Sequence, residues 1–246
     1  MSVKPYVSVC NVANAVQVLE LLSVVPECTH KLGVSRVVTR ENLVAASGVF
    51  RDDPHVFNIL HCVDRTGGWN LYDLIEVAQL SAGCPVHAFH LDMTWPTLDV
   101  IKTFRDLYPD IALMFQVGGG GMSVAHGDEV RVVNALVPYS KMIDAVVFDR
   151  RVDHGRPMLM TTLRRFLGHT KRNLPHLRLA VVEELAENSV DVLSLFSKDF
   201  PDPCFHLEAG GCPTCGSTQL LNIEKAKAFL QQIFPVIQRF NTPDSE

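Results

Sequence analysis

No run of basic residues occurs in the chain, and acidic residues outnumber basic ones 27 to 22, giving a net charge of −5. That balance argues against a nucleic-acid partner, which calls for a positive stripe to meet phosphate. Also missing is any stretch of roughly 18 apolar residues, the length that a bilayer span needs, so no membrane partner is expected. The opening MSVKPYVSVCNVANAVQVLE has no uninterrupted apolar segment and no export-type cleavage pattern. Low-complexity tracts are absent, and no shift in composition marks a linker. The seven cysteines are odd in number and scattered. Reduced thiols in the cytoplasm are therefore expected rather than a disulfide framework.

What the chain does have is apolar residues, at 47%, against 20% charged. This is the balance of a globular protein with a large core. Its 246 residues come close to the roughly 250 of a (β/α)₈ barrel. The expectation is one domain over residues 1–246 with a short polar tail from about 241.

Apolar, β-branched runs alternate with helix-periodic segments, as in repeated βα units around a parallel sheet. The clearest strands are YVSVC (6–10), VFNILHCV (56–63), VHAFHL (86–91), IALMFQV (111–117), DAVVFD (144–149), LRLAVV (177–182) and CFHL (204–207). HKLGVSRVVT (30–39) is the best place for one more. Helical spacing joins Leu71, Leu74, Ile75 and Ala78, then Leu98, Ile101 and Tyr108, with Pro96 suited to a first turn. It is strongest in Ile223, Ala226, Phe229, Leu230, Ile233, Phe234 and Ile237. Eight βα units favour an α/β fold closed as a single (β/α)₈ TIM barrel; an open doubly wound sheet is the alternative.

Working residues of such barrels sit at the C-terminal ends of strands and in the loops beyond them. Those positions hold Cys10, Arg36, His61, Asp64, His90, Asp92, Gln116, Asp149, Glu183, His206 and Glu208. Strand alternation turns about half of them away from the centre. Cys10 fits either a small buried hydrophobe or a thiol poised as base or nucleophile. Asp149 ends an apolar run, where a carboxylate must find donors or hold its proton. A divalent cation is an alternative use for His61, His90, Asp92, Glu183 and Glu208. GGGG (118–121) and DRTGGWN (64–70) read as turns first and binding loops second. HLEAGGCPTCGS (206–217) pairs two glycines with Cys212 and Cys215. A zinc knuckle or a redox pair fits it less well than a loop at the end of the last strand, where barrels build half of a phosphate site.

Four features together resemble phosphoribosylanthranilate isomerase, a (β/α)₈ enzyme of tryptophan biosynthesis. The family's Lys-x-Cys-Gly motif after its first strand meets SVCN here, and its Ser-Pro-Arg segment meets VSRVVTREN with Arg36. Its Leu-His-Gly-like turn meets FHLD, and its strand-six aspartate meets Asp149 in AVVFD. The likeness is one of layout over nearly the whole chain. It implies an Amadori-type isomerisation in which Asp149 is the general acid and Cys10 the general base, with Arg36 on the substrate carboxylate and no metal or cofactor. His90, Asp92 and Gln116 would line a small-molecule substrate, and Gly210 and Gly211 would cradle its phosphate. The chain departs from the family in its phosphate loops. After the sixth strand stands RRVDHGRP with one glycine, and after the seventh stands VVEEL, whose Glu183 and Glu184 oppose an anion. Arg150, Arg151 and Arg156 are the available replacement charge, and Asn11 stands where the family has glycine. Different chemistry on the same barrel, or a barrel that has lost catalysis, are the competing expectations.

Overall fold

A computed structural model describes residues 3–39, 48–64, 69–118, 128–149, 151–152, 156–184, 189–200, 204–208 and 221–241. Eight parallel strands close into a barrel. They are β1 (Tyr6–Val9), β2 (Lys31–Val38), β3 (Val56–Val63), β4 (Ala88–Asp92), β5 (Ala112–Val117), β6 (Ala145–Asp149), β9 (Arg178–Glu184) and β10 (Cys204–Glu208). Two short antiparallel strands, β7 (Arg151–Val152) and β8 (Arg156–Pro157), form a separate ladder after β6. Around the barrel run α1 (Ala15–Leu22), α2 (Leu71–Leu80), α3 (Leu98–Leu107), α4 (Glu129–Leu136), α5 (Met160–Asn173), α6 (Ser189–Asp199) and α7 (Ile223–Asn241). The order β1-β2-β3-β4-β5-β6-β9-β10 returns to β1, so the barrel leaves no sheet edge to protect.

The expected strands form within two residues of their sequence positions, and HKLGVSRVVT supplies β2. Pro96 does not enter a helix. Thr97 is the N-cap of α3 in extended backbone, and the helix starts at Leu98. Proline disfavours helical backbone in the residue before it and fixes its own φ, and both suit the loop leading to a cap. Helices α2 and α4 start on side-chain caps. Asn70 accepts from the backbone of Tyr72 and Asp73 while Asp73 reaches back to the Asn70 N–H, and Asp128 accepts from Val130 and Arg131.

Alternation along each strand splits the apolar residues into two sets. Val7, Val9, Leu32, Val34, Leu60, Phe89, Phe115, Phe148, Val181 and Phe205 face the helices, where they meet Phe104, Leu136, Phe166, Phe196 and Phe234 in the main core. Tyr6, Phe57, Ile59, Ala112, Met114, Val147, Ala180 and Cys204 face inward and fill the N-terminal part of the lumen. Above this apolar plug the inward positions turn polar. Gly33 makes the first crossing possible: paired with Ser8 across β1 and β2, it leaves no space for a Cβ, which would stand 2.3 Å from the Ser8 Cβ.

Candidate active site

In β1 the inward set is Tyr6, Ser8 and then Cys10 just past the strand end; in β3 and β4 it includes His61, His90 and Asp92. Gln116, Asp149 and His206 complete it from β5, β6 and β10. All eight polar or thiol side chains from Ser8 to His206 in this set are buried. Parallel register puts His61 directly beside His90, and Ser8 beside His206. The His61 and His90 rings stack with centroids 4.3 Å apart and planes 10° from parallel. The His206 ring stands edge-on to both, 5.3 Å from His61 and 4.8 Å from His90.

With the Ser8 hydroxyl on the Phe205 carbonyl, the ring proton of His206 is assigned to Nδ1. The Ser8 hydroxyl donates to the Phe205 carbonyl at 3.3 Å, so its lone pairs are left for the His206 Nδ1–H, 2.7 Å away. The lone pair of Nε2 then faces Cys10, whose Sγ lies 2.8 Å away. The result is a chain in which His206 is placed to take the thiol proton and Ser8 holds the ring for that task.

Across the mouth, the Gln116 amide donates to Asp149 Oδ2 at 3.3 Å. A Cβ on Gly118 would lie 2.7 Å from the Asp149 Cβ, so the first glycine of GGGG makes room for this aspartate. The backbone of β5 is held in turn by Trp95, whose indole N–H donates to the Gln116 carbonyl at 2.9 Å. Asp92 Oδ2 lies 3.5 Å from His61 Nε2. Neither ring nitrogen of His61 or His90 completes a hydrogen bond among the described residues. Burial pushes the His90 pKa well below its ordinary range, and neighbouring His61 pushes the same way against the smaller pull of Asp92 and Gln116. His90 is thus a neutral imidazole at the centre of the site.

The structure brings together Cys10, His61, His90, Asp92, Gln116, Asp149 and His206. It separates others. Arg36 follows the outward register of Val34 and Val38, and its Nη1 donates to the Val12 carbonyl at 3.3 Å. There it braces the β1–α1 turn. Glu183 follows the outward register of Val181, away from His61 and His90. Asp64 lies past the end of β3, its N–H on the Asp92 carbonyl. Gly119 to Gly121, Gly210, Gly211, Cys212, Cys215 and Arg150 lie outside the described residues, as do the side chains of Arg151, Arg156, Glu184 and Glu208.

Asn11, directly after Cys10, has φ 60. This left-handed conformation favours glycine, and asparagine is among the side chains that tolerate it best. Asn11 therefore carries the left-handed turn directly after Cys10. Ser8 was not singled out by sequence; its signal is the alternation Tyr-x-Ser-x-Cys, which puts it on the same face as Cys10.

No family model matches the chain, and no curated protein does. Among solved structures it is similar to concanavalin B, at 10% identity and a TM-score of 0.50, over 96% of this chain and 98% of that one. At that identity the likeness carries the fold: the chain is a (β/α)₈ barrel.

Proposed function

We propose that this barrel is an isomerase acting on a small molecule by general acid–base catalysis, of the phosphoribosylanthranilate isomerase kind. Cys10 is the base and Asp149 the acid. The observation that carries the reading is the 2.8 Å contact between Cys10 Sγ and His206 Nε2 on the inward face of the C-terminal rim. An Amadori rearrangement needs one group to protonate the ribose ring oxygen as the C1–O bond breaks. A second group then removes the C2 proton from the iminium, giving an enolamine that tautomerises to the ketose. Asp149, steadied by Gln116, suits the first step, and Cys10, relieved of its proton by His206, suits the second. His90 and Asp92, on the same inward face, would line the substrate. The phosphate end falls to the loop after β10, with Gly210 and Gly211 as its backbone donors. A thiol base needs a reducing compartment, and the cytoplasm supplies one.

The test is turnover of phosphoribosylanthranilate, followed as loss of its fluorescence in the presence of a chelator. Cys10→Ala and Asp149→Asn are each expected to lower kcat by at least about 100-fold. His206→Ala should move the alkaline-favouring limb of the kcat/KM profile upward in pH, because the thiol loses its proton acceptor. Folded protein that leaves the fluorescence unchanged ends this reading.

A further inference from the structure

The polar lumen also has the donors of a metal centre. Cys10, His61 and His206 each present one ligand atom, and these three atoms lie within 4.8 Å of one another in full burial. One sulfur and two imidazole nitrogens are a borderline-soft donor set of the kind that selects zinc over magnesium or calcium. The surroundings point the same way. Among the described residues, neither nitrogen of His61 has a hydrogen-bond partner although the ring is buried, an arrangement that costs free energy unless something else meets them. The Ser8 hydroxyl accepts from the far nitrogen of His206, which turns Nε2 toward Cys10. Asp92 stands 3.5 Å from the His61 ring, close enough to orient it and to offset a cation's charge.

We infer that Cys10, His61 and His206 form a binding site for a thiophilic divalent cation of the zinc class, and that its occupation blocks the acid–base use of Cys10. Donors around tetrahedral zinc stand roughly 3.3–3.6 Å apart, from Zn–N and Zn–S lengths of about 2.0 and 2.3 Å. The Cys10–His206 pair, at 2.8 Å, must therefore open slightly on loading, and the thiol proton must leave: the S–H bond breaks, a metal–sulfur bond forms and one proton passes to solvent. Three protein ligands leave a fourth position for water or substrate. The binding half of the inference stands without the isomerase reading, whereas the blocking half rests on it.

Metal-free protein titrated with cobalt(II) tests it. A thiolate-to-cobalt charge-transfer band that saturates at one ion per chain, is displaced by zinc, and comes with release of about one proton is the expected result. Cys10→Ser should abolish the band, and His61→Ala or His206→Ala should weaken binding by 100-fold or more. Ser8→Ala should weaken it by about tenfold. Cys62→Ala, a thiol on the outward face of β3, should leave the band intact. Far-ultraviolet circular dichroism checks that each variant is folded. A missing band in the parent protein overturns the site, and so does a band that survives Cys10→Ser but is lost in Cys212→Ser/Cys215→Ser. If cobalt binds as described while turnover is found and zinc leaves it unchanged, the blocking half fails and the site stands. Absence of turnover with intact binding removes the isomerase reading alone.

Discussion

At the scale of the residue, one backbone angle decides where the thiol stands. Asn11 at φ 60 turns the chain directly after Cys10, and Arg36 secures the next residue through the Val12 carbonyl. Glycine accepts the left-handed conformation freely, whereas a β-branched residue does not. Asn11→Gly should therefore keep stability and activity near their starting values. Asn11→Val should lower the unfolding free energy by about 1–2 kcal/mol, read from urea midpoints, and lower kcat as Cys10 moves from His206. Equal stability of the two variants would show that the turn does not depend on this angle. The same residues show what sequence can say about a site. Cys10, Asp149, His90, Asp92 and Gln116 were legible as strand-end polar groups because alternation and chain position put them there. Arg36 and Glu183 stand at equally polar positions, but the phase of β2 and β9 turns them outward, and phase cannot be read where strand ends are uncertain by one residue. The pairing of Ser8 with His206 spans 198 residues and depends on the register of β1 on β10, which no local pattern encodes.

At the scale of the element, the barrel's N-terminal rim is tied by a histidine that must remain neutral. His87, just ahead of β4, accepts the Asn58 backbone N–H on Nδ1 at 2.9 Å and stacks on Phe57. The Asn58 amide in turn donates to the carbonyls of Arg51 and Pro85, so β3 and β4 are joined to the loops that feed them. Burial lowers the His87 pKa from 6.5, Lys31 lowers it further and Asp52 opposes both. The unfolded chain then takes up the proton first, so stability is full above pH 6.5 and declines as pH falls below it. His87→Phe keeps the stacking and removes the titration. Its urea midpoint should be lower than the parent's at pH 7.5, for want of an acceptor for Asn58, and should change less between pH 7 and pH 5. Some slope must remain, because His90 titrates in the same direction. A slope identical to the parent's would remove His87 from the account. Elements of this kind were largely visible in the sequence. Near-continuous apolar strands announce themselves because both faces are buried, and β3 matches VFNILHCV residue for residue. β2 was harder to bound because Lys31, Ser35 and Arg36 interrupt its apolar run. Pro96 was expected in the first turn of α3 but lies before its cap, because proline serves a helix start both at its first turn and in the loop before it.

At the scale of the whole molecule, the lumen divides into an apolar part that holds the fold and a polar part above it. The apolar plug of Ile59, Met114, Val147 and their neighbours needs nothing further. Above it, His61, His90 and Gln116 carry buried polar atoms without partners among the described residues. Each such group costs about 1–3 kcal/mol relative to a satisfied one, a sizeable share of a domain stability of about 5–15 kcal/mol. His90 separates that cost from the candidate ligands, since it packs on His61 and His206 without being one of the three clustered donors. His90→Leu replaces a neutral imidazole by an apolar side chain of similar size, so the unmet nitrogens disappear while the space stays filled. The loss of stacking on His61, at about 0.5–1.5 kcal/mol, and of the Gln116 interaction works against the change, and relief of the buried imidazole outweighs both. Stability should rise by about 1 kcal/mol, which for a chain of this length moves Tm up by about 2–4 °C. Turnover should fall in the same variant, because the group was kept against its cost. A fall in Tm of that size would place the His90 nitrogens among the contacts that stabilise the barrel and would remove the argument that the upper lumen is held polar for function.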